Sequence, residues 1–171
     1  MPARADTFDL AGLRLSSGEG RRLQLEVAID PFVLGGERYD VESPVPATLG
    51  VSRTTNDGYS LRLRLQATVA GPCMRCLERA APVFDVDARE ISQPGDAEEL
   101  RSPYVTDSVL DLRAWARDAL ALTLPASLLC APDCAGLCPV CGENLNRAGP
   151  EHRHERSADP RWAKLSELRF D

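Results

Sequence analysis

The sequence predicts an α+β chain: a small antiparallel β-sheet or partly open barrel, one or two packed helices, and a C-terminal region of cysteine knuckles. Three observations carry this expectation. Apolar and polar residues alternate through most of residues 23–88, which is the period of a half-buried strand. One capped amphipathic stretch follows at residues 111–124. Four of the six cysteines then fall within "CAPDCAGLCPVC", residues 130–141. A chain of 171 residues is long enough for one domain with a real core and hardly for two. It is read as a single domain, 1–171, with a mainly β part at 8–91, an acidic connection at 92–108, and a part at 109–171 that holds a helix, a Cys/His segment and a terminal helix.

The strands are taken in order. "RLQLEVAI" places Leu23, Leu25, Val27 and Ile29 on one face, and "VPATLGV" does the same with Val45, Ala47, Leu49 and Val51. "TTNDGYS" supplies Asn56, Asp57 and Gly58, residues that tolerate positive φ in a tight turn. The run after it puts Tyr59, Leu61, Leu63, Leu65, Ala67 and Val69 inward, so residues 45–70 form a hairpin. Arg62, Arg64, Gln66 and Thr68 take the other face, which reads first as a solvated sheet surface. "PVFDVDAREI" adds a strand with Phe84, Val86 and Ala88 inward. Residues 92–108 are rich in acid, Pro and Ser, with Asp96, Glu98 and Glu99 as a solvated run. Asp111 then caps a helix whose apolar stripe is Leu112, Trp115, Ala116, Ala119 and Leu120, and Pro125 ends it. In "DPRWAKLSELRF", Asp159 and Pro160 open a terminal helix with Trp162, Leu165 and Leu168 on one face.

Composition narrows the class. Hydrophobic residues make up 43% and charged residues 27%, ordinary for a soluble domain, while aromatics at 5% call for an aliphatic core. No run approaches the 18 apolar residues of a membrane span, so no membrane partner is expected. The first residues, "MPARADTFDLAGLRL", carry charges where a signal peptide needs an apolar run, and the chain is read as cytoplasmic. In a reducing compartment six cysteines point to metal or redox chemistry rather than disulfides. Net charge is −6, and residues 71–171 hold 17 acidic against 12 basic side chains. Such a chain repels nucleic acid overall, although a local arginine patch can still bind it.

The cysteines form three pairs: Cys73 and Cys76 in "CMRC", Cys130 and Cys134 in "CAPDC", Cys138 and Cys141 in "CPVC". A C-x-x-C folds into a tight knuckle that turns two sulfurs toward one metal, and thiolate is a soft ligand suited to zinc. The only histidines, His152 and His154, stand in "EHRHE", eleven residues after Cys141. Six thiols and two imidazoles make eight ligands, the number two tetrahedral zinc sites need. The favoured division joins Cys73, Cys76, Cys130 and Cys134 in one site and Cys138, Cys141, His152 and His154 in the other. A ribbon-like rival pairs Cys73 and Cys76 with Cys138 and Cys141, and a single site or none stays open. The C-terminal part is thus a zinc-knuckle region in which the metal, two ions, is structural.

Other chemistries fit less well. A thioredoxin-like pair needs its first cysteine at a helix N-terminus, whereas Cys73 follows a strand. Cys134, Cys138 and Cys141 have the spacing of a radical-SAM cluster, but only 30 residues remain after Cys141 for the barrel such enzymes require. A zinc deaminase needs H-x-E before P-C-x-x-C, and the sequence has no H-x-E. No G-x-G-x-x-G, P-loop or G-x-S-x-G is present, and no catalytic residue is expected.

"CMRCLE", the acidic connection, "LPASLLCAPDCAGLCPVCGENLN", "HRHE" and "DPRWAKL" together resemble the YceD-type large ribosomal RNA subunit accumulation protein family, over about Phe8 to Leu168. Many members of that family carry C-x-C where this chain has His152 and His154, and one branch lacks the third cysteine cluster. The resemblance implies a non-enzymatic role in large-subunit ribosomal RNA accumulation and ribosome assembly. Two zincs on six thiolates and two neutral imidazoles add a further charge of about −2, which favours a ribosomal protein or assembly factor as partner. Direct contact with large-subunit rRNA is the alternative, with Arg62, Arg64, Arg75 and Arg79 as its patch. A thiol redox protein is a weaker one.

Overall fold

The computed structural model describes residues 3–95, 100–149 and 151–154. Its strands are β1 (Ala3–Arg4), β2 (Thr7–Asp9), β3 (Gly20–Val27), β4 (Phe32–Leu34), β5 (Glu37–Val41), β6 (Val45–Arg53), β7 (Tyr59–Pro72), β8 (Arg79–Ala80), β9 (Val83–Ser92), β10 (Val105–Thr106) and β11 (Val109–Asp111), and its helix is α1 (Leu112–Thr123). The α+β expectation holds. Eight strands form one open sheet around β7, in the order β1-β3-β6-β7-β5-β4 with β9 and β8 also on β7, and β10-β11-β2 form a second. Both sheets are open. All pairings are antiparallel except β1 with β3.

Strand β7 organises the molecule because its fourteen residues are long enough to serve several neighbours. Tyr59–Leu65 pair with β6 and Tyr59–Thr68 with β9; farther along, Val69 and Ala70 pair with β5, and Gly71 and Pro72 with β8. Its inward residues Tyr59, Leu61, Leu63, Leu65, Ala67 and Val69 are all buried, as are Val45, Ala47, Leu49 and Val51 of β6. The turn between β6 and β7 closes with Asp57 at φ 57°. Helix α1 lies against β9, β3 and β2. Its N-cap Asp111 accepts from the Ala114 N–H at 2.9 Å, and Leu112, Trp115, Ala116, Ala119 and Leu120 are buried. Each large apolar side chain among them stabilises the packing by about 1.5–3 kcal/mol.

Two pieces differ from the sequence expectation. Residues 32–41 form the hairpin β4–β5, whose turn is Gly35-Gly36 with φ 60° and 88°. The Gly-Gly pair between "FVL" and "ERYDV" is the signal for it. Phe32 and Tyr39 of this hairpin join the main core. Within the stretch read as a connection, Val105 and Thr106 pair with β11. The terminal helix around Trp162, and the acidic residues Asp96, Glu98 and Glu99, lie outside the described residues. Among the described residues no helix is long and apolar enough to cross a membrane.

Candidate metal centres

The far end of β7 positions the first centre. Gly71 has no room for a side chain, because a Cβ there would meet the Tyr39 ring at 2.3 Å. Tyr39 then donates its hydroxyl to the Pro72 carbonyl at 2.8 Å. The chain leaves the sheet at Cys73, turns, and returns as β8. The Cys73 N–H donates to Glu78 O at 2.7 Å and the Leu77 N–H to Cys73 O at 2.9 Å. Leu77 takes φ 62° to make this turn. After α1, Leu128 is buried in the main core, its N–H on Met74 Sδ at 3.3 Å, while Met74 N–H reaches Leu128 O at 2.9 Å. That anchoring delivers Cys130 and Cys134 to the knuckle.

Cys73 Sγ lies 3.8 Å from Cys134 Sγ, and Cys76 Sγ lies 3.6 Å from Cys130 Sγ. Four sulfurs at a Zn–S distance of about 2.3 Å in a tetrahedron stand about 3.8 Å apart. All four ligand atoms fall within 4.8 Å of one another. Cys73, Cys76 and Cys134 are buried and Cys130 is exposed. Burial pushes the Cys73 thiol up, but N–H groups of Cys76, Arg75 and Cys130 aimed at its sulfur outweigh that and bring it to about 6. Cys130, sharing hydrogen bonds with Cys76 and Cys134, is pushed up to about 12. Several thiolates around one point repel each other, so a divalent cation is what lets all four ionise together.

The second centre repeats the first knuckle. The Cys138 N–H donates to Glu143 O at 2.8 Å and the Gly142 N–H to Cys138 O at 2.8 Å, with Gly142 at φ 76°. Cys141 Sγ is 3.7 Å from His152 Nε2, which is 3.2 Å from His154 Nε2. A tetrahedral zinc separates such a sulfur and nitrogen by about 3.5 Å and two nitrogens by about 3.3 Å. Glu143 Oε2 stands 3.0 Å from His152 Nδ1, which leaves Nε2 as the ligand atom. The hydrogen bond with His152 holds the Cys138 thiol down at about 6, and the same bond raises the imidazole. Both quartets suit zinc: one is all thiolate and the other thiolate and imidazole, each with four donors. The ribbon-like pairing of Cys73 and Cys76 with Cys138 and Cys141 is not the one the structure brings together.

Side chains between the centres were not singled out from the sequence. Asn146 donates through Nδ2 to Cys134 Sγ at 3.4 Å and accepts the Ala135 N–H at 2.8 Å. Arg147 pairs with Glu78 at 2.9 Å, and Leu137 packs against Cys73, Cys76 and Cys134. The "ENLN" string that follows Cys141-Gly142 is the available signal, since amides after a knuckle have sulfurs within reach. The arginines proposed as an RNA patch divide. Arg62 forks onto Asp87 at 2.7 and 2.5 Å, and Arg75 donates to Cys134 O at 3.0 Å. Arg79 pairs in register with Pro72, eight strand positions beyond Arg64, or about 26 Å. Arg62 and Arg64 thus lie at the middle of β7, and Arg79 at its far end.

No solved structure matches this chain. The uncharacterized protein Rv2926c of Mycobacterium tuberculosis is 34% identical over 170 residues, 95% of this chain and 80% of the relative. The uncharacterized protein Mb2951c of Mycobacterium bovis matches to the same extent. The uncharacterized protein ML1660 of Mycobacterium leprae is 32% identical over 166 residues, 87% of this chain and 73% of the relative. The family described as large ribosomal RNA subunit accumulation protein YceD matches residues 61–169, a span that opens inside β7 and takes in both cysteine–histidine quartets, and the chain belongs to that family.

Proposed function

We propose that the chain is a non-enzymatic, cytoplasmic factor in large-subunit rRNA accumulation, and that two structural zinc ions hold its C-terminal segments on the sheet. The observation that carries this reading is the division of eight ligands into two quartets of four donors. Four protein donors close a zinc site, whereas a catalytic zinc keeps a position open. The family supplies the biological subject, rRNA of the large subunit. With a net charge of −6 before the metals are counted, the chain as a whole suits a basic ribosomal protein or an assembly factor, and RNA phosphates only where arginines are locally concentrated.

Elemental analysis of protein purified without added zinc, with a free-thiol count alongside, tests the metal part. Two zincs per chain and no reactive thiols are expected. Iron, or a reversible Cys73–Cys76 disulfide without metal, would replace this reading with a redox one. The ratio of large- to small-subunit rRNA in cells lacking the chain tests the role. That ratio should fall, and recover with the intact chain but not with a Cys73→Ser variant.

A further inference from the structure

The sheet face opposite α1 carries a row of residues in register across four strands: Arg22 of β3, Gly50 of β6, Arg62 of β7 and Arg89 of β9. Arg64 is the next outward residue on β7 and faces Asp87. This end of the face therefore sets four arginines against one aspartate, in a chain whose net charge is −6. The remaining acids of the face, Glu26 and Asp85, sit at the other end, opposite Pro46 and Gln66.

Three features of the row do not serve the fold. Arg62 and Arg89 stand directly opposite each other, and like charges so placed destabilise a sheet. A single carboxylate answers the excess: Asp87 accepts the Arg62 fork, lies 3.4 Å from Arg64, and is brought to about 2 by Arg62 first and then by Arg64 and Arg89. Gly50 stands in the middle of a central strand, where glycine costs entropy and contributes no packing. It has no positive φ, and a Cβ there would meet only ordinary contacts at 3.7 Å. Its absent side chain opens a recess of about 70 Å³ lined by Arg22, Thr48, Arg62 and Arg64.

We propose that this face binds the phosphate backbone of RNA, with one phosphate seated over Gly50 and the arginine row following the strand on either side. Guanidinium forks match phosphate oxygens. Three strand spacings give the row a reach of about 14 Å, longer than one isolated anion needs. Among the described residues, Arg22 and Arg89 make no side-chain hydrogen bond or ion pair, whereas Arg62 is engaged by Asp87. The choice of RNA over an acidic protein rests on the family reading. The overall negative charge confines the contact to this face and makes it salt-sensitive.

Fluorescence anisotropy with a labelled single-stranded RNA oligonucleotide of mixed sequence tests it, between about 50 and 200 mM salt. Wild-type affinity should fall steeply with salt. An Arg22→Ala, Arg89→Ala double variant should bind more weakly and lose about 1.4 from the log–log salt slope, about 0.7 for each lost phosphate contact. Gly50→Glu, which fills the recess with a carboxylate, should abolish binding. Unaltered zinc content and Tm establish that both variants are folded. Wild-type affinity and slope in the double variant would overturn the proposal, as would labelled polyglutamate binding this face while RNA does not. A chain that restores the rRNA ratio in cells yet binds no RNA would overturn this inference alone and leave the family role standing.

Discussion

The two candidate metal centres use the same knuckle and sit in different surroundings. Both start with a cysteine N–H donating five residues ahead and close with an N–H returning to the first cysteine's carbonyl. The first is inserted between the end of β7 and the segment after α1, and joins residues 54 to 61 positions apart in sequence. The second is local: its four ligands lie between Cys138 and His154. Three of four ligands are buried in the first centre, and one of four in the second. A metal that joins distant segments contributes to the fold, while one that closes a local loop mainly orders that loop. With metal bound, the first centre would tie the sheet to the C-terminal part, and the second would be a local loop closure beside it.

The largest expected effect follows from that asymmetry. Zinc binding in small structural sites is worth on the order of 10–16 kcal/mol at neutral pH, comparable to the whole stability of a domain. Cys134→Ser should lower Tm sharply and open residues 128–154 to protease. Cys138→Ser should lose one zinc, leave Tm close to wild type, and make only residues 135–154 cleavable. Melting curves and limited proteolysis of the two variants side by side decide the matter. Equal Tm losses would show that the centres are not ranked as their surroundings suggest.

The next effect separates the centres by their outer contacts. Glu143 holds His152 through Nδ1, and removing such a partner typically costs 10–100-fold in metal affinity. Glu143→Gln should weaken the second site by about that factor in a chelator competition and leave the first unmoved. A smaller effect concerns the coupling. Asn146→Ala removes the amide on Cys134 Sγ and leaves the Ala135 N–H without its acceptor, at a cost of about 1–2 kcal/mol. It should lower the affinity of the first site although Asn146 belongs to the second module. Unchanged affinity at the first site would mean that the two modules load independently.

How much of this was legible in the sequence depends on the range of the forces involved. The inward faces of β6, β7 and α1 were readable residue by residue, because burial imposes a period of two or 3.6 on neighbours in the chain. The two quartets were readable because a metal needs fixed residue types in fixed numbers, and the four sequence-local pairs of Cys and His divide into two quartets in only three ways. The hairpin at Phe32–Val41 was missed where its apolar residues are few and the Gly35-Gly36 turn carries the signal. The contacts of Arg75, Asn146 and Glu143 were not legible, since each depends on where separate segments meet in space. The arginine row was hidden for the same reason: Arg22, Gly50, Arg62 and Arg89 become neighbours only through strand register.

The smallest effect compares the two knuckles at a single backbone position. Gly142 takes φ 76° without strain, but Leu77 takes φ 62° in the equivalent place of the first knuckle. The left-handed conformation costs a side-chain-bearing residue about 1–2 kcal/mol, and glycine's larger unfolded-state entropy offsets about 0.4–1 kcal/mol of what Leu77→Gly would recover. Leu77 is 67% exposed and makes little packing that would be lost. Leu77→Gly should therefore raise stability by a few tenths to about 1 kcal/mol, read from denaturant midpoints at saturating zinc. A leucine kept at a strained and solvent-facing position, with Val140 of the other knuckle also 69% exposed, is what a protein-contact surface at the knuckle tips would require. The same variant should then bind a ribosomal protein or assembly-factor partner more weakly while folding better. A stabilised variant with undiminished partner binding would remove the knuckle tips from that surface, and a destabilised one would show that the Leu77 side chain is held by contacts the exposed geometry does not reveal.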